Sequence, residues 1–451
     1  MGRASVALRR VSPRAALSPA QTILLGFASV IAVGTVLLSL PVAAADGRPT
    51  PFLDALFTAT SATCVTGLVV VDTATHWSPF GQLVILLLIQ IGGFGYMTTA
   101  MLLALLVGRR IGLRERMVLA QSYNLYGLGG IVRFTRTVIR VTLAIEGAGA
   151  LLLALRWVPE VGLARGVYWG IFHAVSAFNN AGFDVMGNFA SLTRYATDLP
   201  VNLTVMALVV LGGLGFGVLT NLREGRRHFT LHTRVVLSTT LGLIAAGTAG
   251  IFLLEFANPG TLGSLSWPAK AMAALFQSVT PRTAGFSTVS TGEMREATLM
   301  LLLVLMFIGA SPGGTGGGVK TTTFVAPLAV ILAQLRGHPE PGLFQRRFPP
   351  VVIYKAVTIV LLGVAFVVVM SVLLTLTEGL ALLPAAFEVV SAFGTVGLST
   401  GVTPSLSVLG KLIIIVTAYT GRVGLLTLAY GLTRRQVAPP FRYPEKAIYV
   451  G

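Results

Sequence analysis

Long runs without a charged side chain alternate along the chain with short polar clusters. Residues 73–108, 199–222, 235–254 and 356–377 contain no Asp, Glu, Lys or Arg, and about 20 mostly apolar residues suffice to cross a bilayer as helix. The pattern predicts eight spanning segments, at 21–40, 81–107, 136–155, 202–221, 235–254, 298–335, 351–376 and 408–433. The sixth is too long for one straight helix, and residues 309–318 break it with six glycines and a proline. The run from Ile23 to Leu40 exceeds the roughly 7–15 residues of a signal-peptide core and reads as the first span.

Four shorter apolar stretches lie between these spans, each ending in a glycine: ALFTATSATCVTGL (55–68), FHAVSAFNNAGF (172–183), LFQSVTPRTAGF (275–286) and FEVVSAFGTVGL (387–398). Aligned on Gly67, Gly182, Gly285 and Gly397, they place Phe57, Phe172, Leu275 and Phe387 ten residues before the glycine. Ser61, Ser176 and Ser391 stand six before it, with Val279 departing in the third. A repeat on this scale decides the architecture. The expected fold is an all-α polytopic membrane protein. It has four repeats of span, re-entrant helix and span (M1-P-M2), eight spans and four re-entrant pore helices in all, in pseudo-fourfold symmetry. The boundaries are a cytoplasmic N-terminus 1–17, repeats at 18–117, 118–228, 229–345 and 346–435, and a C-terminal tail 436–451.

Composition narrows the class further. Of 451 residues, 54% are hydrophobic and 11% charged, with a net charge of +17. This hydrophobicity excludes a disordered chain, and the lone Cys64 excludes a disulfide scaffold. The basic residues fall in short clusters between apolar runs rather than on one face with aromatics between them, so nucleic acid is not an expected partner. With the N-terminus inside, inner segments carry 23 Lys/Arg and 4 Asp/Glu, and outer segments 8 and 11. Positive charge therefore orients both termini to the cytoplasm.

A stretch of eight to ten residues before each glycine spans only about half a bilayer as helix. It must enter from outside and return as extended chain, which is tolerated at that depth only when buried in protein or lining water. Four such helices around one axis would aim their negative dipole ends at the centre, favouring a cation, and the returns could replace its hydration shell with carbonyl oxygens. The candidate potassium ligands are the backbone oxygens of Val65, Thr66 and Gly67; Asn180, Ala181 and Gly182; Thr283, Ala284 and Gly285; and Thr395, Val396 and Gly397. Taken singly, each glycine would do no more than cap a helix. Of the residues before these triplets, Cys64 reads as a small packed residue, and Arg282 as paired outward with a carboxylate.

With these four loops the chain resembles the pore-forming subunits of the Trk/Ktr/HKT superfamily of potassium transporters, specifically the Ktr type, over roughly residues 20–435. Trk-type subunits carry an extra helix pair before the first repeat, and Gly67 leaves room here for one helix only. The resemblance implies a pore within one chain and assembly as a homodimer. It also implies a cytosolic ring of nucleotide-binding regulatory subunits, with K+ as the transported ion and Na+ as a possible activator. No cofactor is expected on this chain and no metal beyond K+ at the filter. In related plant transporters a Ser in place of the first-repeat glycine goes with sodium selectivity, so Gly67 favours potassium.

Residues 306–323 read MFIGASPGGTGGGVKTTT. Gly313 through Thr321 superficially matches the phosphate loop G-x-x-x-x-G-K-[ST], but Val319 separates Gly318 from Lys320 and apolar spans flank both sides. So much bare backbone at membrane depth suggests a mobile gate beneath the filter, built from Gly313, Gly314, Thr315, Gly316, Gly317 and Gly318. Arg422 lies mid-span, where it costs at least ~2.5–3.5 kcal/mol unless it faces water or a partner. It is expected to face the loop 309–318, with Lys320 either pairing with loop carbonyls or acting in conduction. The resemblance implies the same gating loop and the same arginine barrier.

Other features have plainer readings. Gly92-Gly93-Phe94-Gly95 and Gly212 through Gly217 read as close helix packing, Glu146 as a partnered packing residue, and Asp184 and Glu388 as outer-mouth acids. The basic inner segments, 222–234 among them, suit either a cytosolic regulator or anionic membrane lipids. No convergent catalytic set appears, so an enzyme is not expected. The expected function is gated potassium uptake across the cell (inner) membrane. An alternating-access transporter of another monovalent cation is the alternative.

Overall fold

The computed structural model describes residues 18–95, 98, 131–225 and 229–432. The tails expected at 1–17 and 436–451, and the boundaries between 117 and 118 and between 435 and 436, lie outside the described residues.

The chain is helical; among the described residues the only strands are Gly342–Leu343 and Arg346–Arg347, paired antiparallel in one hairpin. Among the described residues four helices are long and apolar enough to cross a membrane, α1 (Pro19–Ser39), α5 (Ile131–Val161), α9 (Leu231–Glu255) and α13 (Pro350–Glu378). Their starts follow from the sequence. Ser18 and Gln21 form a reciprocal cap ahead of Pro19, and Thr230 caps α9 through the Thr233 amide, each satisfying a free backbone N–H. Leu361, Val364, Val368 and Val372 of α13 stay exposed. An exposed apolar surface of this kind suits lipid rather than water.

Shorter helices follow the long ones: α2 (Phe52–Thr63), α6 (Leu163–Phe178), α10 (Trp267–Val279) and α14 (Leu382–Gly394), with a single turn α3 (Thr73–His76) after α2. Then come α4 (Pro79–Phe94), α7 (Leu199–Gly213) with α8 (Phe216–Glu224), α11 (Glu296–Phe307) with α12 (Thr321–Leu335), and α15 (Val408–Val423) with α16 (Leu425–Leu432).

Here the structure adds breaks to the one expected in the sixth span. The segment expected at 202–221 breaks at Leu214–Gly215 with a bend of 102°, where Gly215 holds φ 92°. α4 stops at Phe94 because Gly95 takes φ 76°, and α15 stops at Gly424, φ 88°. The glycines read as packing positions therefore have two jobs. Gly92, Gly212 and Gly421 sit against the carbonyls of Thr63, Phe178 and Phe393, while the glycine three residues later turns the chain through a dihedral closed to most side chains.

The short helices bury Ala59, Ala62, Ala177 and Ala392, and with them Phe57, Phe172, Phe276 and Phe387. The third stretch is offset by one residue: Phe276, not Leu275, is the buried counterpart of the other three phenylalanines.

Candidate functional site

Each short helix ends a few residues before its glycine, and three end alike. In α2 the amide of Val65 bonds the carbonyl of Ala62, and that of Thr66 bonds Ser61; Asn180 and Ala181 repeat this on Ala177 and Ser176, and Thr395 and Val396 on Ala392 and Ser391. This is a Schellman ending, which calls for a left-handed residue just past the helix. Val65, Asn180 and Thr395 supply it with φ 56°, 58° and 50°, and Thr283 holds φ 66° in the third stretch. The glycines are thus not the helix caps. They take a second positive φ two residues on, between 70° and 93°, so the first and third residues of each triplet both hold positive φ.

The four returns meet. A Cβ on Gly67 would lie 2.5 Å from the carbonyl oxygen of Ala181, and one on Gly182 would lie 2.7 Å from that of Ala284. Gly285 abuts the carbonyl of Val396, and Gly397 that of Thr66. The sequence 67, 182, 285, 397 therefore closes on itself as a ring, each glycine against the oxygen of the residue before the next.

A hydroxyl straps each return to its helix. Ser61 Oγ accepts from the Gly67 amide at 3.1 Å and donates to the Leu68 carbonyl at 2.7 Å. Ser176 donates to Phe183, and Ser391 accepts from the Gly397 amide. In the third stretch Thr280 donates to the Phe286 carbonyl at 2.5 Å, so the departure at Val279 is the same one-residue offset seen at Phe276.

Outside the ring opens a cavity of about 480 Å³ with the four glycines in its lining, together with Asp72 and Asp184. Asp184 accepts from the Met186 amide. Glu388 does not belong to the mouth. It is fully buried, and it anchors the outer loop by accepting from Ser399, the Thr400 amide and Thr403.

On the other side of the ring lies the glycine-rich segment. Residues 308 and 319 bridge in parallel, closing 309–318 into a loop whose backbone is satisfied by the break in α7–α8. Ser311 and Thr315 amides donate to the carbonyls of Gly213 and Gly212, and Phe216 donates to that of Gly313. Two broken helices thus complete each other's hydrogen bonds, the condition for irregular backbone at membrane depth. The sequence signal for this pairing was the cluster of glycines at 212–217. Arg422 donates to the Thr315 and Gly92 carbonyls, and Lys320 Nζ to the carbonyls of Gly316 at 2.6 Å and Gly317 at 3.3 Å.

Glu146 accepts from Asn179 Nδ2 at 2.8 Å, and Gln90 Oε1 accepts from the same amide at 3.2 Å. Cys64 is fully buried. Arg282 departs from the expected outward ion pair: it is buried, and none of its guanidinium nitrogens has a hydrogen-bond partner among the described residues.

The model of the TrkH family, described as a cation transport protein, matches residues 12–439. The chain is 43% identical to Ktr system potassium uptake protein B of Bacillus subtilis, covering 96% of this chain and 97% of that one. It is 39% identical to the potassium/sodium uptake protein NtpJ of Enterococcus hirae, over 98% and 99% of the two chains. Among solved structures, the potassium transporter TrkH from Vibrio parahaemolyticus superposes with a TM-score of 0.72 at 19% identity, covering 94% of this chain and 86% of that one. This is likeness of fold.

Proposed function

The chain belongs to the TrkH family of cation transport proteins, and on that premise we propose that it carries potassium into the cell through the ring at Gly67, Gly182, Gly285 and Gly397. As a member of this family of ion transporters, the chain is not an enzyme. In this reading the four stretches belong to four repeats of span, pore helix and span about one axis. Potassium sheds water onto the backbone oxygens of the triplets 65–67, 180–182, 283–285 and 395–397, as carbonyl filters do. The loop 309–318 is the gate, held shut by Arg422 and Lys320.

The observation that supports this best is the closed circuit of contacts, each glycine against the carbonyl preceding the next. Four left-handed residues in register add to it. The potassium uptake names of relatives at 43% and 39% identity supply the ion. The "Ktr system" wording supports a multi-component assembly, which we read as a homodimer on a cytosolic nucleotide-binding ring. The potassium/sodium name of the Enterococcus relative supports sodium as an activator. The excess of basic residues in the expected inner segments supports a location in the cell membrane with both termini cytoplasmic.

Alternating access is the second reading, favoured by one observation: two broken helices face each other beneath the ring, as discontinuous helices do in secondary transporters. The test is growth of a potassium-uptake-deficient bacterium at low potassium, followed by rubidium flux into proteoliposomes with and without sodium. Downhill rubidium flux without a coupling ion supports the pore. Strict coupling to a second ion supports alternating access, and no rescue of growth rejects potassium uptake.

A further inference from the structure

We propose that the inner end of the filter is itself the receptor for the gate: Asn180, Thr283 and Thr395 dock three consecutive loop residues, Thr315, Gly316 and Gly317, one each and in chain order. This rests on the reading of 309–318 as the gate. Thr315 Oγ1 donates to Asn180 Oδ1 at 2.7 Å. A Cβ on Gly316 would collide with Thr283 Oγ1, an oxygen that is buried without a hydrogen-bond partner among the described residues. The Gly317 amide donates to Thr395 Oγ1 at 2.9 Å.

These three side chains belong to the left-handed residues that open the second, third and fourth triplets. Their backbones face the ion path in the proposed filter, and their side chains are occupied by the loop. Asn180 is the stiffest of them. Its Nδ2 donates to Val209 on α7 and to Arg282 beside the third triplet, so its Oδ1 is aimed and cannot follow the loop when it leaves. The first triplet opens with Val65, which has no polar side-chain atom to offer. On that side Arg422 takes over, joining Thr315 to Gly92. Filter and gate therefore share residues, and the stability of the closed gate is set by side chains at the filter.

The experiment is rubidium flux into proteoliposomes holding the full chain without a partner protein. Deletion of 312–317 tests the gate itself: if flux does not rise, the gate reading fails. Given that rise, Thr315→Val and Thr395→Val, both close in shape, each raise flux about two- to tenfold, the shift expected from one hydrogen bond of ordinary net worth. Asn180→Ala joined to Thr315→Val raises flux by less than the product of the two single effects, because both remove the Thr315–Asn180 bond. Thr395→Ser, which keeps the acceptor, falls back toward the unaltered chain. Melting temperatures in detergent accompany every variant, so that a flux change in a folded protein is what is read. The proposal is overturned if Thr315→Val and Thr395→Val leave flux at its starting level while the deletion raises it, or if the Asn180 and Thr315 effects multiply.

Discussion

Arg422 joins two carbonyls 223 residues apart in sequence, donating through one amino nitrogen to Thr315 and through the other to Gly92. A guanidinium reaches the two through separate nitrogens of one rigid fork, whereas an ammonium would have to serve both from a single nitrogen. Removing it frees both oxygens and takes a positive charge from beneath the ring. Arg422→Ala is expected to raise rubidium flux in proteoliposomes at least about tenfold, the worth of a charged hydrogen bond. Arg422→Lys should lie between, keeping the charge and losing the fork. Unchanged flux in Arg422→Ala would remove the arginine from the barrier.

Ser61 makes two bonds with one hydroxyl, to the Gly67 amide and the Leu68 carbonyl. Ser61→Ala leaves both groups buried without that partner, at about 1–3 kcal/mol. The expected outcome is a lower melting temperature in detergent and weaker competition of rubidium against sodium for uptake. A variant that melts lower but discriminates as before would make the strap purely structural.

Much of this was legible in one sequence, and the rest fails for identifiable reasons. The charge-free runs, the four glycine-ended stretches and the break at 309–318 are local patterns, and they read directly as helices, returns and a loop. The contact of Arg422 with that loop follows from the cost of a mid-span charge. Other features depend on partners distant in the chain. The bend at Gly215 serves a loop about 100 residues later, since Gly212 and Gly213 carbonyls receive Thr315 and Ser311; the glycines alone look the same for packing and for bending. The left-handed state of Val65 and Thr395 runs against β-branched preference and goes with the Schellman bonds that end their helices. The offset in the third stretch hides behind alignment on Gly285, where Thr280 and Phe276 stand one residue late. Arg282 misleads because its sequence position at an outer connection suggests water, whereas the fold buries it.

Glu146 sits in α5 and accepts from Asn179, the residue before the second triplet. Gln in its place keeps an acceptor of the same shape, while Leu removes the shortest of the buried Asn179 amide's bonds and leaves it Gln90 and Val175. Glu146→Gln should melt near the unaltered chain, and Glu146→Leu should be destabilised by about 1–3 kcal/mol. Thermal unfolding in detergent reads both; equal losses would mean that the charge, not the hydrogen bond, matters.

Gly67 and Gly47 separate backbone strain from ring contact. Both hold positive φ, 91° and 71°, so alanine at either costs about 1–2 kcal/mol for its dihedral alone. At Gly47 a Cβ meets nothing within 4 Å, whereas at Gly67 it lies 2.5 Å from the Ala181 carbonyl oxygen, a backbone atom of the neighbouring return that cannot move without displacing the ring. Gly47→Ala should therefore support growth at low potassium, with a slightly lowered melting temperature. Gly67→Ala should fold and reach the membrane but fail to support growth. Rescue of growth by Gly67→Ala to the level of Gly47→Ala would show that the ring contact does not limit transport.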